Sequence, residues 1–347
     1  MVESHNNPSP SPSTSPRRIL VCGVNWLGDA ILSMPAIQAF RWDRPEAEIH
    51  VLSKPSLLPL WTMHAAPTQT IEMPPDAAGI PALSRRLRDL DFHEAFVLPR
   101  SFRAALPPFL ARIPLRIGLP GHFPRDFMLT HVRPPALGPG RDHQVFEFLD
   151  LFFPGANRRT YPAPSISVPP PVLERMHQKL DPLPQPWIAL LPGAARGPSK
   201  QWPTENYALA AAKLMAETGG SVVTLGTRSE EAICQQVAAA AAPNGMNLAG
   251  QTSLVELAAV LSLSAGVLCN DSGGMHLAAA LGTPLVGLFG ITNPQQTGPL
   301  GKRLRILQRS DLRSRDVPRR SHKAEKALRA ISVDDAVQAT LDLLRTR

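Results

Sequence analysis

Short apolar runs alternate with helical patterns in two long stretches of the chain, and a proline-dense segment separates them. Runs at 19–22, 48–53, 70–71, 94–98 and 114–118 alternate with helical patterns at 29–40, 56–63, 80–89 and 101–110. Beyond residue 186 the order restarts, with strands expected at 188–191, 222–225, 247–249, 266–269 and 284–289. Helices are expected at 204–217, 229–242, 254–263, 275–281 and 333–345. Strand followed by helix, repeated, builds a parallel sheet with helices on both faces. The interruption at 154–186 holds nine of the chain's 38 prolines and one short helical piece near 172–179. The expected organisation is therefore a tail at 1–16, an α/β domain at 17–165, a linker at 166–186 and a second α/β domain at 187–347.

Composition narrows the class. The 347 residues suffice for two ordinary domains, and 44% are apolar. The three cysteines, Cys22, Cys234 and Cys269, lie in apolar settings with no C-x-x-C pair. That suits a reducing cytosol and argues against a disulfide framework or a zinc site. No run approaches the roughly 20 apolar residues of a membrane span. The tail, rich in Ser, Pro and Asn, lacks the apolar stretch of a signal peptide. A net charge of +8 points to an anionic partner: nucleic acid, an anionic membrane face or a phosphorylated substrate.

Candidate chemistry gathers where strands end, which in open α/β sheets is where ligands bind. Gly23 and Gly28 bracket the first strand–helix connection, and Asp29 opens the helix, as an N-cap, a functional carboxylate or both. Arg100 and Arg103 follow the strand at 94–98 on the same edge, among further arginines at 112, 116, 125 and 133. In the second half, Pro192-Gly193-Ala194 leads through Gly197-Pro198-Ser199 to Lys200, a small-residue loop able to hold a phosphate. It lacks the G-K-[ST] ending of a Walker A loop. Asn270-Asp271-Ser272-Gly273-Gly274-Met275-His276 sets two glycines and a histidine at a helix start, whose positive dipole end suits a diphosphate. Glu230 or Glu231, after Gly226-Thr227, could take a ribose hydroxyl pair; charge at a helix start explains them equally well. A carboxylate on one half facing a diphosphate cradle on the other is the layout of a glycosyltransferase with two facing Rossmann-like domains.

These motifs carry a resemblance. Asn25-Trp26-Leu27-Gly28-Asp29, Leu98-Pro99-Arg100-Ser101-Phe102, the 192–203 loop and the 270–281 segment resemble those of the ADP-heptose:lipopolysaccharide heptosyltransferases, glycosyltransferase family nine. The G-P-x-K-x-W-P loop is most like that of the branch adding the second core heptose. The likeness runs from about residue 18 to the last helix. It implies a GT-B fold and an inverting transfer from ADP-heptose to the lipopolysaccharide inner core. It also implies that no metal or cofactor is needed and that the reaction runs at the cytoplasmic face of the inner membrane. By the same resemblance Asp29 is the catalytic base and Lys200 the diphosphate lysine. Asp271, Ser272, Gly273, Gly274 and His276 form the donor loop, and Glu230 or Glu231 lies near the ribose acid. Three departures stand out. Gly274 replaces a larger apolar residue, Ala195 replaces Glu, and the segment 309–329 is arginine-rich where relatives carry cysteines.

The mechanism expected is proton removal by Asp29 while Lys200, the helix start and a protonated or donating His276 meet the charge on departing ADP. Arg100 and Arg103 are expected to hold anionic groups of the acceptor. The segment 302–329, with eleven Lys or Arg against three acids, is expected either to attract an anionic inner-membrane surface or to be a solvated loop. Other readings fare worse. A dinucleotide oxidoreductase would need glycine where Asn25 stands and an acid after Ser53-Lys54. A non-catalytic binding protein leaves Asp29 and Lys200 unexplained. Nucleic-acid binding is disfavoured because aromatics make up 5% of the chain and do not interleave with the basic residues.

Overall fold

The computed structural model describes residues 16–138, 141–155, 160–194, 200–312 and 322–345. The tail at 1–15, the loop residues 195–199 and the basic stretch 313–321 lie outside the described residues. The first half runs β1 (Arg18–Cys22), α1 (Leu27–Asp43), β2 (Glu48–Ser53), α2 (Leu58–Thr62), β3 (Gln69–Glu72), α3 (Ile80–Asp89), β4 (Glu94–Val97), α4 (Phe102–Leu110), β5 (Leu115–Gly118), β6 (His131–Val132) and α5 (Gln144–Phe152). The second runs α6 (Pro170–Leu180), β7 (Trp187–Leu191), α7 (Thr204–Thr218), β8 (Ser221–Thr224), α8 (Glu231–Ala239), β9 (Gly245–Asn247), α9 (Leu254–Leu263), β10 (Gly266–Asn270), α10 (Gly273–Ala280), β11 (Leu285–Phe289), α11 (Pro294–Thr297), β12 (Leu304–Gln308), α12 (His322–Arg329) and α13 (Val333–Arg345).

Each half forms a six-stranded sheet. The orders are β3-β2-β1-β4-β5-β6 and β12-β11-β10-β7-β8-β9, with parallel pairing throughout. The central strands β1, β7, β10 and β11 are apolar on both faces and buried, as strands covered by helices on either side must be. Chain direction across the sheet reverses between β1 and β4 in the first half and between β7 and β10 in the second. At such a reversal the connections leave in opposite directions and open a crevice at the strands' carboxyl ends.

Five elements have no counterpart in the sequence pattern: β6, α5, α11, β12 and α12. The strand β6 is two exposed residues, too short for a pattern. Half-exposed β12 sits on the sheet edge. The helix α5 packs on α1, burying Val145, Phe148, Leu149 and Phe152. In the basic segment, α12 buries Ala324, Ala327 and Leu328, so this part is no solvated loop. The helix α1 also starts two residues earlier than expected: Trp26 takes the extended N-cap position and Leu27 is the first helical residue. Asp29 therefore stands in the first turn and is not the cap.

Among the expected ligand-edge arginines, Arg125 serves the fold. Its side chain is buried, 1% exposed. It donates to the carbonyls of Pro99 (2.8 Å), Val97 (3.3 Å) and Leu119, and pairs with Asp126 at 2.7 Å. Asp126 in turn accepts from the Gly121 N–H. This one guanidinium ties the loop after β4 to the loop after β5. Arg125→Met keeps the volume and removes every donor. Chemical denaturation should show stability falling by about 2–4 kcal/mol, the cost of stranding buried carbonyls, with an unchanged denaturant slope.

Candidate active site at the seam of the two halves

Local sequence chemistry brings the two crevices together. The first turn of α1 meets the first turn of α10. A Cβ built on Gly273 would lie 2.9 Å from the Leu27 Cβ, and one on Gly28 would lie 2.7 Å from the His276 ring. Both glycines are there because no side chain fits, and Asp29 follows directly on Gly28. The same seam is tied by His143, whose Nδ1 accepts from the Val145 N–H at the start of α5 and whose Nε2 then donates to the Gly298 carbonyl at 3.1 Å.

On the second half, the β7/β10 crevice is built around Asn270, which is completely buried. Its amide donates to the carbonyls of Pro192 (2.8 Å) and Gly193 (3.2 Å), and its oxygen accepts from the Trp202 N–H at 3.0 Å. Trp202, itself buried, donates from its indole to the Ile331 carbonyl. Asn270 thus fixes both ends of the 192–202 loop. Lys200 reaches Asp271 at 2.5 Å, with both side chains largely buried. The Thr292 hydroxyl donates to the same carboxylate oxygen at 2.6 Å. Gln308 holds the Thr292 segment through the carbonyls of Gly290 and Thr292.

Ser272 is the N-cap of α10, in extended conformation and without a side-chain cap bond. The smallness of Gly274 has a steric cause: its Cβ would lie 2.2 Å from Leu191 Cδ2, so Leu191 fills the space a larger residue would need. Of the two glutamates, Glu230 lies at the crevice. It caps Thr227 through its N–H (2.7 Å) and hydroxyl (2.8 Å), and its carboxylate sits over Gly193, where a Cβ would come within 2.0 Å of Oε1. Glu231 is exposed and begins α8.

His276 differs from the expected protonated donor. It is 6% exposed, its Nδ1 has no partner among the described residues, and burial pushes its pKa down to about 4. It is neutral at pH 7, so one ring nitrogen carries a proton it can donate and the other can only accept. On the first half, Arg100 pairs with Glu147 on α5 at 2.9 Å. Arg103 donates to the carbonyls of Pro74 and Asp76. Both stay partly exposed at the strand-end edge, but both already have partners.

Sequence reasoning does not single out Thr292, Gln308 or the clamping role of Asn270. Thr292 lies three residues past a buried strand, and strand-end position is the signal that points to it. Asn270 stands within a recognised motif, yet a buried amide bridging two loops is invisible until the loops are placed.

The buried histidines make stability depend on pH. His276 and His64, each with a pKa of about 4 through burial, refuse a proton that the unfolded chain accepts below about 6.5. Between those values the unfolded state binds more protons, so stability falls as pH falls, by about 1.4 kcal/mol per pH unit for each histidine. Burial lowers His50 and His143 as well; denaturant titrations at pH 7.5 and 5 should show the combined loss, and His276→Asn should make it smaller.

The chain is similar to a set of known proteins of one kind. The model of glycosyltransferase family 9 (heptosyltransferase) matches residues 80–327. Lipopolysaccharide heptosyltransferase 2 of Escherichia coli K12 is 30% identical over 318 residues, covering 84% of this chain and 88% of that protein. Lipooligosaccharide heptosyltransferase 2 of Haemophilus ducreyi is 30% identical over 320 residues, covering 85% and 89%. The solved structure of E. coli ADP-heptose LPS heptosyltransferase II superposes with a TM-score of 0.83 at 27% identity, covering 94% of this chain and 98% of that one. A paired parallel-sheet fold, a seam-centred site and these similarities together establish that the chain belongs to glycosyltransferase family 9, the heptosyltransferases.

Proposed function

We propose that the chain transfers heptose from ADP-heptose to the inner core of lipopolysaccharide, with inversion at the anomeric carbon and Asp29 as the base. The observation that carries this is the α1–α10 contact. It sets the Asp29 turn against the loop that bears Asp271, Ser272, Gly273, Gly274 and His276. In this reading residues 17–165 form the acceptor domain and 187–347 the donor domain, joined through 166–186.

The acceptor hydroxyl is a poor nucleophile until its proton is leaving. Asp29 takes that proton as the new glycosidic bond forms on the face opposite the departing ADP. The diphosphate gathers negative charge, which Lys200 and the N–H groups at the start of α10 meet. Neutral His276 adds a donor without adding charge. Asp271, itself held by the Thr292 hydroxyl, keeps the Lys200 ammonium in place beforehand, so little reorganisation is left for the transition state. Glu230, beside Gly193, takes the ribose hydroxyls of the nucleotide. Arg100 and Arg103 bind anionic groups of the acceptor, giving up their present contacts with Glu147 and the 74–76 carbonyls. The chain works at the cytoplasmic face of the inner membrane, where such an acceptor is presented. Three buried thiols, two of them pushed up to about 12 by burial, suit a reducing compartment. No described helix is long and apolar enough to cross a membrane.

Two variants test the assignment in a transfer assay with ADP-heptose in EDTA-containing buffer. Asp29→Asn should lower kcat by about 10²–10⁴, the usual worth of general-base help, with donor affinity and Tm unchanged. Near-normal turnover would remove Asp29 from the chemistry. Lys200→Ala should raise the donor KM and slow ADP departure, through loss of a charge-assisted contact. Unchanged donor kinetics would mean that Lys200 only pairs with Asp271.

A further inference from the structure

The helix α4 buries Ala104, Ala105, Pro107 and Pro108 against the first sheet. It nevertheless carries a second apolar stripe: Phe102, Leu106, Phe109 and Leu110 stand at i, i+4, i+7 and i+8, one face of a helix. Phe102, 47% exposed, and Leu110, 37% exposed, face outward, while Leu106 and Phe109 between them are partly buried against the core. The connection from β5 to β6 adds two more exposed phenylalanines. Phe123 is 87% exposed and Phe127 73%, the two most exposed large apolar residues among the described ones. The Phe127 ring lies 6.3 Å from that of Phe109. Single exposed apolar residues are ordinary, whereas a contiguous patch marks a contact surface.

Its charge says what kind of contact. A groove of about 530 Å³ beside the stripe is lined by Arg88, Phe109, Leu110, Arg112 and Arg116. Arg88 donates to the Leu110 carbonyl at 2.6 Å, and the Arg116 guanidinium lies 5.6 Å from the centre of the Phe109 ring. Among the described residues none of the three arginines pairs with a carboxylate. Exposed phenylalanines flanked by uncompensated arginines match a phospholipid interface, where rings sit at headgroup level and guanidinium groups meet phosphates. The basic segment 302–329 fits that role less well. Arg305, Arg309 and Arg329 are already paired with Asp342, Asp335 and Glu205, and α12 is packed down.

We propose that the outer face of α4, with the β5–β6 connection, seats the chain on an anionic phospholipid bilayer. This rests on the acceptor reading above: the acceptor is lipid-anchored, and α4 follows the β4 strand end that bears Arg100. Docked on this face, the acceptor-side edge of the first domain lies beside the lipid surface from which its substrate extends.

The test is cosedimentation of the full chain with vesicles of phosphatidylcholine, with and without phosphatidylglycerol. The wild type should bind the anionic vesicles, less at high salt, and bind neutral ones weakly. Phe123→Ser with Phe127→Ser should weaken binding at least about tenfold, leaving Tm and turnover on a soluble truncated acceptor unchanged. Arg88→Gln with Arg112→Gln should weaken binding to anionic vesicles only. Neutralising Arg313, Arg315, Arg319 and Arg320 should leave most of the binding intact. If the wild type binds but the phenylalanine pair is indifferent, or if the 313–320 variant alone abolishes binding, the α4 face is overturned and membrane association stands. A wild type that binds no vesicle refutes membrane association itself. Self-association of the wild type without lipid, abolished by the phenylalanine pair, would reassign the face to a contact between copies and overturn the proposal.

Discussion

Two helix starts meet where neither has room for a side chain, and the rest of the site depends on that contact. Gly28 lies against His276 and Gly273 against Leu27. Because the contact is backbone to side chain at both ends, each half fixes the other's strand-end loops at close range. Each sheet contributes its own point of reversed connection, β1/β4 from one side and β7/β10 from the other. A crevice on one open sheet binds a ligand; two facing crevices can hold a donor and an acceptor together with water largely excluded.

The donor side is prepared by polar groups that have no freedom left. Asn270 commits both ends of its amide to the backbone of the 192–202 loop, and Asp271 is shared by Lys200 and Thr292. Buried polar groups are costly unless satisfied, so this arrangement costs stability when any member is missing and stiffens the loop when all are present. The buried, neutral His276 follows the same logic. Removing water from its surroundings lets it sit against Gly28, and excludes the imidazolium that the sequence alone leaves open.

Much of this is legible from the chain. The alternation of strand and helix foretells two parallel sheets because apolar runs of strand length, bounded by glycine and proline, have few other solutions. The strand-end rule leads to Asp29, to the Pro192-Gly193 turn and to the Asp271 loop without any coordinate. Elements whose burial comes from distant partners are not legible. The pattern of α5 makes sense only once α1 lies beneath it, and β12 gains its strand character from pairing with β11. Arg125 reads in sequence as one more basic residue near a ligand edge. Only the carbonyls of Val97, Pro99 and Leu119 around it show that it is structural. The outward residues of α4 are hidden for the opposite reason: Phe102 and Leu110 look like core, and only the solvent on their outer side sets them apart.

The central claim is that the first turns of α1 and α10 touch, so that Asp29 and the donor loop share one site. Combining Gly28→Ala with His276→Ala tests it directly, since a Cβ at position 28 would lie 2.7 Å from the His276 ring. In the native background Gly28→Ala should lower the Tm clearly; once the imidazole is gone it should cost much less, the non-additivity expected of residues in contact. A cost of Gly28→Ala that is the same whatever stands at position 276 would contradict the seam, and with it the shared site.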